Sequence, residues 1–251
     1  MPHSRTIIVI PARMQSTRLP QKMLLAKTGK PLIQHTYEAA VKATKPERVV
    51  IATDHQDIVD AVTAFGGQAV MTDPALPSGT DRVAEVARQF PEFDIVANVQ
   101  GDEPEIEPES IDAAIESLEQ DSTAVMSTLA TPIRDENVLC DPGCVKVVFN
   151  KAGDAMYFSR SPIPFARDGF AEKLKISPPL FHLHVGLYCY RRDFLGQINS
   201  LPVSSYEETE KLEQLRVLEN GFRIKTAVIP ESIPGIDTAD DYEAFVKRSL
   251  N

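Results

Sequence analysis

TIIVIPARMQSTRLPQK, Thr6 to Lys22, joins a β-branched apolar run to a loop that carries cations but no glycine. Thr6–Ile10 has the unbroken hydrophobicity of a strand buried on both faces. Pro11 and Pro20 prevent regular helix throughout the loop, and Pro31 suits the first turn of a helix. Ile33, Tyr37, Ala40, Val41 and Thr44 follow at helical spacing. The same alternation then recurs. Arg48–Thr53 reads as a strand, Asp54–Phe65 as a helix ending at Gly66–Gly67, and Gln68–Met71 as a short strand. Val83, Val86, Ala87 and Phe90 form the apolar stripe of another helix, and Asp94–Gln100 reads as a fourth strand. Repeated strand–helix units predict an α/β fold with a mostly parallel central sheet flanked by helices. Ligands of such sheets bind beyond the carboxyl ends of the strands. Pro11–Lys22, Asp54 and Gly101–Pro104 are therefore expected at one rim.

Between Thr131 and Pro202 the rhythm breaks. VKVVFN (145–150), AMYFSRSPIP (155–164) and FHLHVGLYCY (181–190) are strand-like pieces separated by Pro, Gly and Asp. They predict an antiparallel excursion, residues 131–202, inserted as a lid or dimerisation arm into a single domain spanning 1–251. A helix over Glu207–Asn220, a strand over Arg223–Ile229 and a final helix from Thr238 follow.

The 251 residues carry a net charge of −10, which disfavours nonspecific binding to nucleic acid or acidic membranes. All 36 acidic side chains lie beyond Tyr37, whereas Arg5, Arg13, Arg18, Lys22, Lys27 and Lys30 precede it. A basic segment in an acidic chain suits a small polyanion, although a solvated basic loop has the same composition. The apolar runs are strand-sized, and the N-terminal one is too short for a secretory core. Three cysteines, an odd number, argue against a disulfide framework. A cytoplasmic protein is expected, with no membrane partner.

Several residue groups could carry chemistry. Arg13, Ser16, Arg18 and Lys22 have the donors to wrap a triphosphate, arginine as a planar fork and lysine as a compact charge. The loop matches neither GxxxxGK[ST] nor GxGxxG. In VQGDEP (99–104), Asp102 stands where a strand end can offer a carboxylate to Mg²⁺, or it is an ordinary turn residue. Asp237 in GIDT is either a second carboxylate or a helix cap. Strand alternation puts His182, His184, Gly186, Tyr188 and Tyr190 on one face, suited to a sugar. Glu213 and Gln214 lie beside the Leu212, Leu215 and Leu218 stripe, as an exposed face or as hydrogen-bonding groups for a polyhydroxy substrate.

Read in order, IPARMQSTRLPQK, TDH, SGTDR, VQGDEP, VKVV, YFSR, HVGLYCYR, LEQLR and GIDT closely resemble the 3-deoxy-manno-octulosonate cytidylyltransferases, over about Ile8 to Asp241. The resemblance implies a nucleotidyltransferase-like fold, a homodimer and Mg²⁺ as cofactor. It also implies transfer of the cytidylyl group from CTP to 3-deoxy-manno-octulosonate (Kdo), in lipopolysaccharide biosynthesis. By position it makes Arg13, Ser16, Arg18 and Lys22 the phosphate loop. Ser78, Gly79, Thr80, Arg82 and Gln100 become nucleotide contacts, and Asp102 and Asp237 the metal ligands. Arg160, His184, Tyr188, Glu213 and Gln214 would form the Kdo pocket. Lys22, Arg13, Asp102 and Asp237 would then do the catalytic work.

Overall fold

The computed structural model describes residues 4–16 and 18–250. Thr17, one hydroxyl of the basic loop, lies outside them. The strands among these residues are β1 (Thr6–Ala12), β2 (Arg48–Thr53), β3 (Ala69–Met71), β4 (Ile95–Asn98), β5 (Met126–Pro132), β6 (Lys146–Phe149), β7 (Ala155–Ser159), β8 (His182–Arg191) and β9 (Ile224–Val228). The α-helices are α1 (Leu32–Ala40), α2 (Gln56–Ala64), α3 (Gly79–Arg88), α4 (Pro108–Glu119), α5 (Glu136–Cys140), α6 (Arg192–Leu195), α7 (Ser205–Glu210), α8 (Gln214–Glu219) and α9 (Ala239–Ser249). The chain divides into two compact units, Met1–Asp112 with Ile233–Asn251, and Ala113–Ser232. Among the described residues no helix is long and apolar enough to cross a membrane.

In the first unit the strands run parallel in the order β3-β2-β1-β4. Ile7, Ile8, Val9 and Ile10 are fully buried, as their unbroken apolarity requires of a strand with neighbours on both edges. The strand runs two residues past Ile10, pairing Pro11 with Ala52 and Ala12 with Thr53. Proline lacks a donor but still fits an extended backbone, so the punctuation that suggested a strand end only marks the approach to the loop. The first helices begin close to their expected places, and α3 begins earlier, at Gly79.

In the second unit β5 pairs antiparallel with β8 and parallel with β9, while β6 and β7 form an antiparallel pair. The strand-like pieces expected at 145–150, 155–164 and 181–190 are β6, β7 and β8. β5, a buried run from Met126, is an element the sequence reading did not single out. The expected helix over 207–220 is two helices, because Lys211 adopts the left-handed conformation at φ +56°. A bidentate pair spans the break, with Arg216 Nε and Nη2 each 2.7 Å from a Glu207 carboxylate oxygen.

Candidate active site

Beyond the carboxyl ends of β1 and β4 lies a cavity of about 340 Å³, lined by Arg13, Gln15, Ser16, Arg18 and Lys22 from the loop after β1. Gly79, Gln100, Gly101, Asp102 and Asp237 complete much of its wall. Gln15 went unnoticed in the sequence because it sits between more conspicuous cations.

Gln21 takes a left-handed conformation, φ +53°, and turns the chain into the short 3₁₀ segment Lys22–Leu24. That turn buries the Lys22 side chain and aims its ammonium at two carboxylates. Nζ donates to Asp102 Oδ2 at 2.6 Å and to the Ile236 carbonyl at 2.8 Å, and it lies 3.5 Å from Asp237 Oδ1. Arg18 Nη2 reaches the same Asp237 oxygen at 2.8 Å. The backbone reinforces the meeting, since Ile236 N–H donates to the Asp102 carbonyl at 2.8 Å. Ile236 itself is buried with Leu32, Tyr242, Phe245 and Val246, so apolar packing of α9 holds the Asp237 segment in place.

Asp237 is not the helix cap. Thr238 accepts from Asp241 N–H, and the Asp241 side chain returns to the Thr238 N–H at 2.8 Å. This reciprocal capping leaves the Asp237 carboxylate to the cluster. On the opposite side, a Cβ on Gly101 would come within 2.8 Å of the Pro11 carbonyl. Glycine is thus what lets the β4 turn approach β1 and present Asp102. Loss of hydration, helped by the Asp102 charge, pushes the neighbouring Glu103 carboxyl up to about 8. At neutral pH Glu103 is therefore mostly protonated.

SGTDR is a helix start. Ser78 and Asp81 form a capping box on α3, with Ser78 Oγ accepting from Asp81 N–H at 3.1 Å. Gly79 lines the cavity, while Thr80 is buried. Arg82 is wholly buried and does not line the cavity. Its Nη2 donates to Asp54 Oδ2 at 3.0 Å and its Nη1 to Thr72. Asp54 Oδ1 in turn accepts from Met14 N–H at 3.3 Å. Arg82 is thus tied to the loop by hydrogen bonds through Asp54, and burial lowers its proton affinity.

The second unit holds the other expected residues. Arg160 Nε donates to the Glu210 carbonyl at 2.7 Å and Nη1 to the Pro142 carbonyl at 3.0 Å. On β8, pairing shifts between Val185 and Tyr188, so Gly186 and Leu187 bulge out of the ladder. His184 and Tyr188 then stand opposite Ala130 and Thr128, and their ring centroids lie 5.4 Å apart. Thr128 Oγ1 is 3.0 Å from His184 Nε2, and its one proton lies within reach of the Leu187 carbonyl at 2.9 Å and the Val185 carbonyl at 3.1 Å. Burial drives the His184 pKa down to about 3, keeping the ring neutral. Glu213 is exposed, but Gln214 is 4% exposed, and its Nε2 has no partner among the described residues. After the break at Lys211 a new helix starts at Gln214, so Gln214 does not share with Glu213 the exposed face expected beside the leucine stripe.

A parallel α/β sheet with a cation-lined loop and one carboxylate at its strand ends, met by a second from the segment before α9, has the build of a nucleotide-handling enzyme. The sequence profile of the cytidylyltransferase family matches residues 7–226. A 3-deoxy-manno-octulosonate cytidylyltransferase from Rhodopirellula baltica is 46% identical over 97% of this chain and 98% of its own. One from Geotalea uraniireducens is 48% identical over 96% and 97%. A solved structure described as CMP:2-keto-3-deoxy-manno-octonic acid synthetase complexed with CTP superposes with a TM-score of 0.92, at 42% identity, covering 98% of this chain and 99% of that one. The chain belongs to the 3-deoxy-manno-octulosonate cytidylyltransferase family.

Proposed function

We propose that the chain transfers the cytidylyl group of CTP to the anomeric C2 hydroxyl of Kdo, giving CMP-Kdo and pyrophosphate for lipopolysaccharide biosynthesis. The observation that carries this reading is the meeting of Lys22, Asp102 and Asp237 at a cavity lined by Arg13, Ser16, Arg18 and Gln100. The hydroxyl oxygen attacks the α-phosphorus, the bridging bond to the β-phosphate breaks, pyrophosphate leaves and the hydroxyl proton passes to solvent. Both substrates are anionic, so charge neutralisation dominates the barrier.

Arg13, Arg18 and Lys22 bind the triphosphate, with Ser16 and the Gly79 backbone beside it. Gln100 takes the nucleoside end. Two carboxylates and a carbonyl already surround one cation, the Lys22 ammonium, which is a hard-oxygen donor set of the kind Mg²⁺ takes. Asp102 and Asp237 would hold Mg²⁺, which when bound supplies Lewis-acid polarisation of phosphate oxygens. Lys22 and Arg13 would stabilise charge on the leaving pyrophosphate, joined by Arg18 once it leaves Asp237. In the second unit, Arg160 pairs with the Kdo carboxylate, while Tyr188, Glu213 and the orphaned Gln214 amide meet its hydroxyls. His184, neutral and braced by Thr128, serves as a hydrogen-bonding ring.

The enzyme is assigned to the cytoplasm, which the unpaired Cys140, Cys144 and Cys189 support. It is assigned as a homodimer, for which the 81% exposed Phe165 offers apolar surface. Pyrophosphate release across four nucleoside triphosphates and several 2-keto sugar acids, with and without Mg²⁺, tests the whole reading. Turnover is expected with CTP and Kdo and is expected to need the metal. Equal rates with a sialic acid, or no turnover with any pair, would overturn it.

A further inference from the structure

Lys146 opens β6 in the second unit and is fully buried, yet no carboxylate pairs with it in an ion pair among the described residues. Its Nζ donates to the Asp141 carbonyl at 2.9 Å and to the carbonyls of Cys144 and Arg160. An ammonium has three N–H groups and accepts nothing, so this set uses its full capacity. Lost hydration lowers the affinity of Lys146 for its proton, which means that holding the charge here is costly. A methionine would fill the same channel without that cost. What the ammonium adds is position, because its three acceptors come from two separate stretches of chain.

Both stretches lead to one side chain. The Asp141–Cys144 turn contains Pro142, whose carbonyl accepts from Arg160 Nη1 at 3.0 Å. The third acceptor on Lys146 is the carbonyl of Arg160 itself. Lys146 therefore fixes the Arg160 backbone and the turn that steadies its guanidinium. Glu210 completes the frame, since its Oε2 accepts from Arg160 N–H at 2.9 Å and its carbonyl from Nε at 2.7 Å. Two of the guanidinium donors are thereby spent on carbonyls. The others, on Nη2 and Nη1, have no acceptor among the described residues.

We infer that Lys146 is a positioning residue for recognition of the sugar acid, acting through Arg160 by tying the Asp141–Cys144 turn to the Arg160 backbone. The inference rests on the reading of Arg160 as the partner of the Kdo carboxylate. A fork aimed at a carboxylate loses much of its worth when displaced by about 1 Å.

The test is a cycle of wild type, Lys146→Met, Arg160→Ala and the double variant, read by pyrophosphate release with separate KM values for Kdo and CTP. Lys146→Met is expected to raise the KM for Kdo about tenfold and leave that for CTP within about twofold. The double variant is expected to be no worse than Arg160→Ala alone, since both changes remove one unit. If Arg160→Ala raises the KM for Kdo and Lys146→Met does not, or if the two effects add, the inference about Lys146 fails. If Arg160→Ala leaves that KM unchanged, the assignment of Arg160 fails and the inference falls with it. Should Lys146→Met not fold, Lys146→Arg is read instead. It keeps the charge but presents a planar fork to acceptors arranged for an ammonium. A selective rise in the KM for Kdo supports the inference, and equal rises for both substrates overturn it.

Discussion

The Lys22 ammonium and the Asp102 carboxylate are 80 positions apart in the chain and 2.6 Å apart in the fold. Lys22 comes from the loop after β1, and Asp102 from the turn after β4, neighbouring parallel strands of one sheet. Adjacency of those strands makes the pair a product of topology.

Asp102→Asn tests both meanings of that contact. The Lys22 side chain is 8% exposed and that of Asp102 28%, so the change puts a neutral amide in place of the nearer carboxylate and leaves the buried ammonium only Asp237, at 3.5 Å, as a charged partner. A loss of about 1–3 kcal/mol in stability is expected, below the full value for a wholly buried pair, and chemical denaturation measures it. Turnover is expected to fall about 100-fold or more, because the proposed metal loses one of its two charged ligands. Near-normal turnover in saturating Mg²⁺ would remove Asp102 from the metal site.

Arg82→Met should act on the fold first. It leaves the Asp54 carboxylate without its guanidinium, and Asp54 also holds the Met14 N–H at the start of the basic loop. A stability loss of about 3 kcal/mol is expected from breaking a buried pair by one partner. Thermal denaturation would then show a melting temperature lower by roughly 6–12 °C. The KM for CTP is expected to rise as the loop loosens. An unchanged melting temperature would show that Asp54 and Met14 manage without Arg82.

His184 gives the stability profile an acid limb. Its folded pKa of about 3 lies below the usual value, 6.5, so between those values the unfolded chain binds the extra proton. Its contribution is complete above pH 6.5 and is lost as pH falls toward 3, at no more than about 1.4 kcal/mol per pH unit. His184→Gln keeps a hydrogen-bonding group near Thr128 but cannot titrate. Denaturation midpoints collected from pH 7 to pH 4 should therefore fall less steeply for the variant. Parallel curves would mean that His184 carries no such penalty.

How much of this could be read from the chain depended on how local each cause was. Ile7–Ile10 and Val50–Thr53 announced buried strands because both faces of each are covered. The Pro11–Lys22 loop was legible through its charge, and it lines the cavity. Asp237 could be a cap or a ligand on local grounds, and only the fold shows that Thr238 takes the capping duty. Ser78 and Arg82 were alike in being nucleotide contacts that the resemblance implies. One is committed to a helix start and the other to Asp54. The left-handed turns at Gln21 and Lys211 left no trace, since neither residue is a glycine or an asparagine. Lys146 was hidden in an apolar run, where its three carbonyl partners depend on a turn and a strand brought together by pairing.

The 215 positions between Lys22 and Asp237 have a consequence for biosynthesis. A ribosome delivers the cationic loop early, but the carboxylate that shares its charge emerges only after most of the polypeptide has been made. Prematurely terminated products would carry an incomplete set of the groups proposed to be catalytic, whatever part of the sheet they managed to form. On the proposed role of Asp237, competence to use CTP would arrive with the segment that leads into α9 and not before.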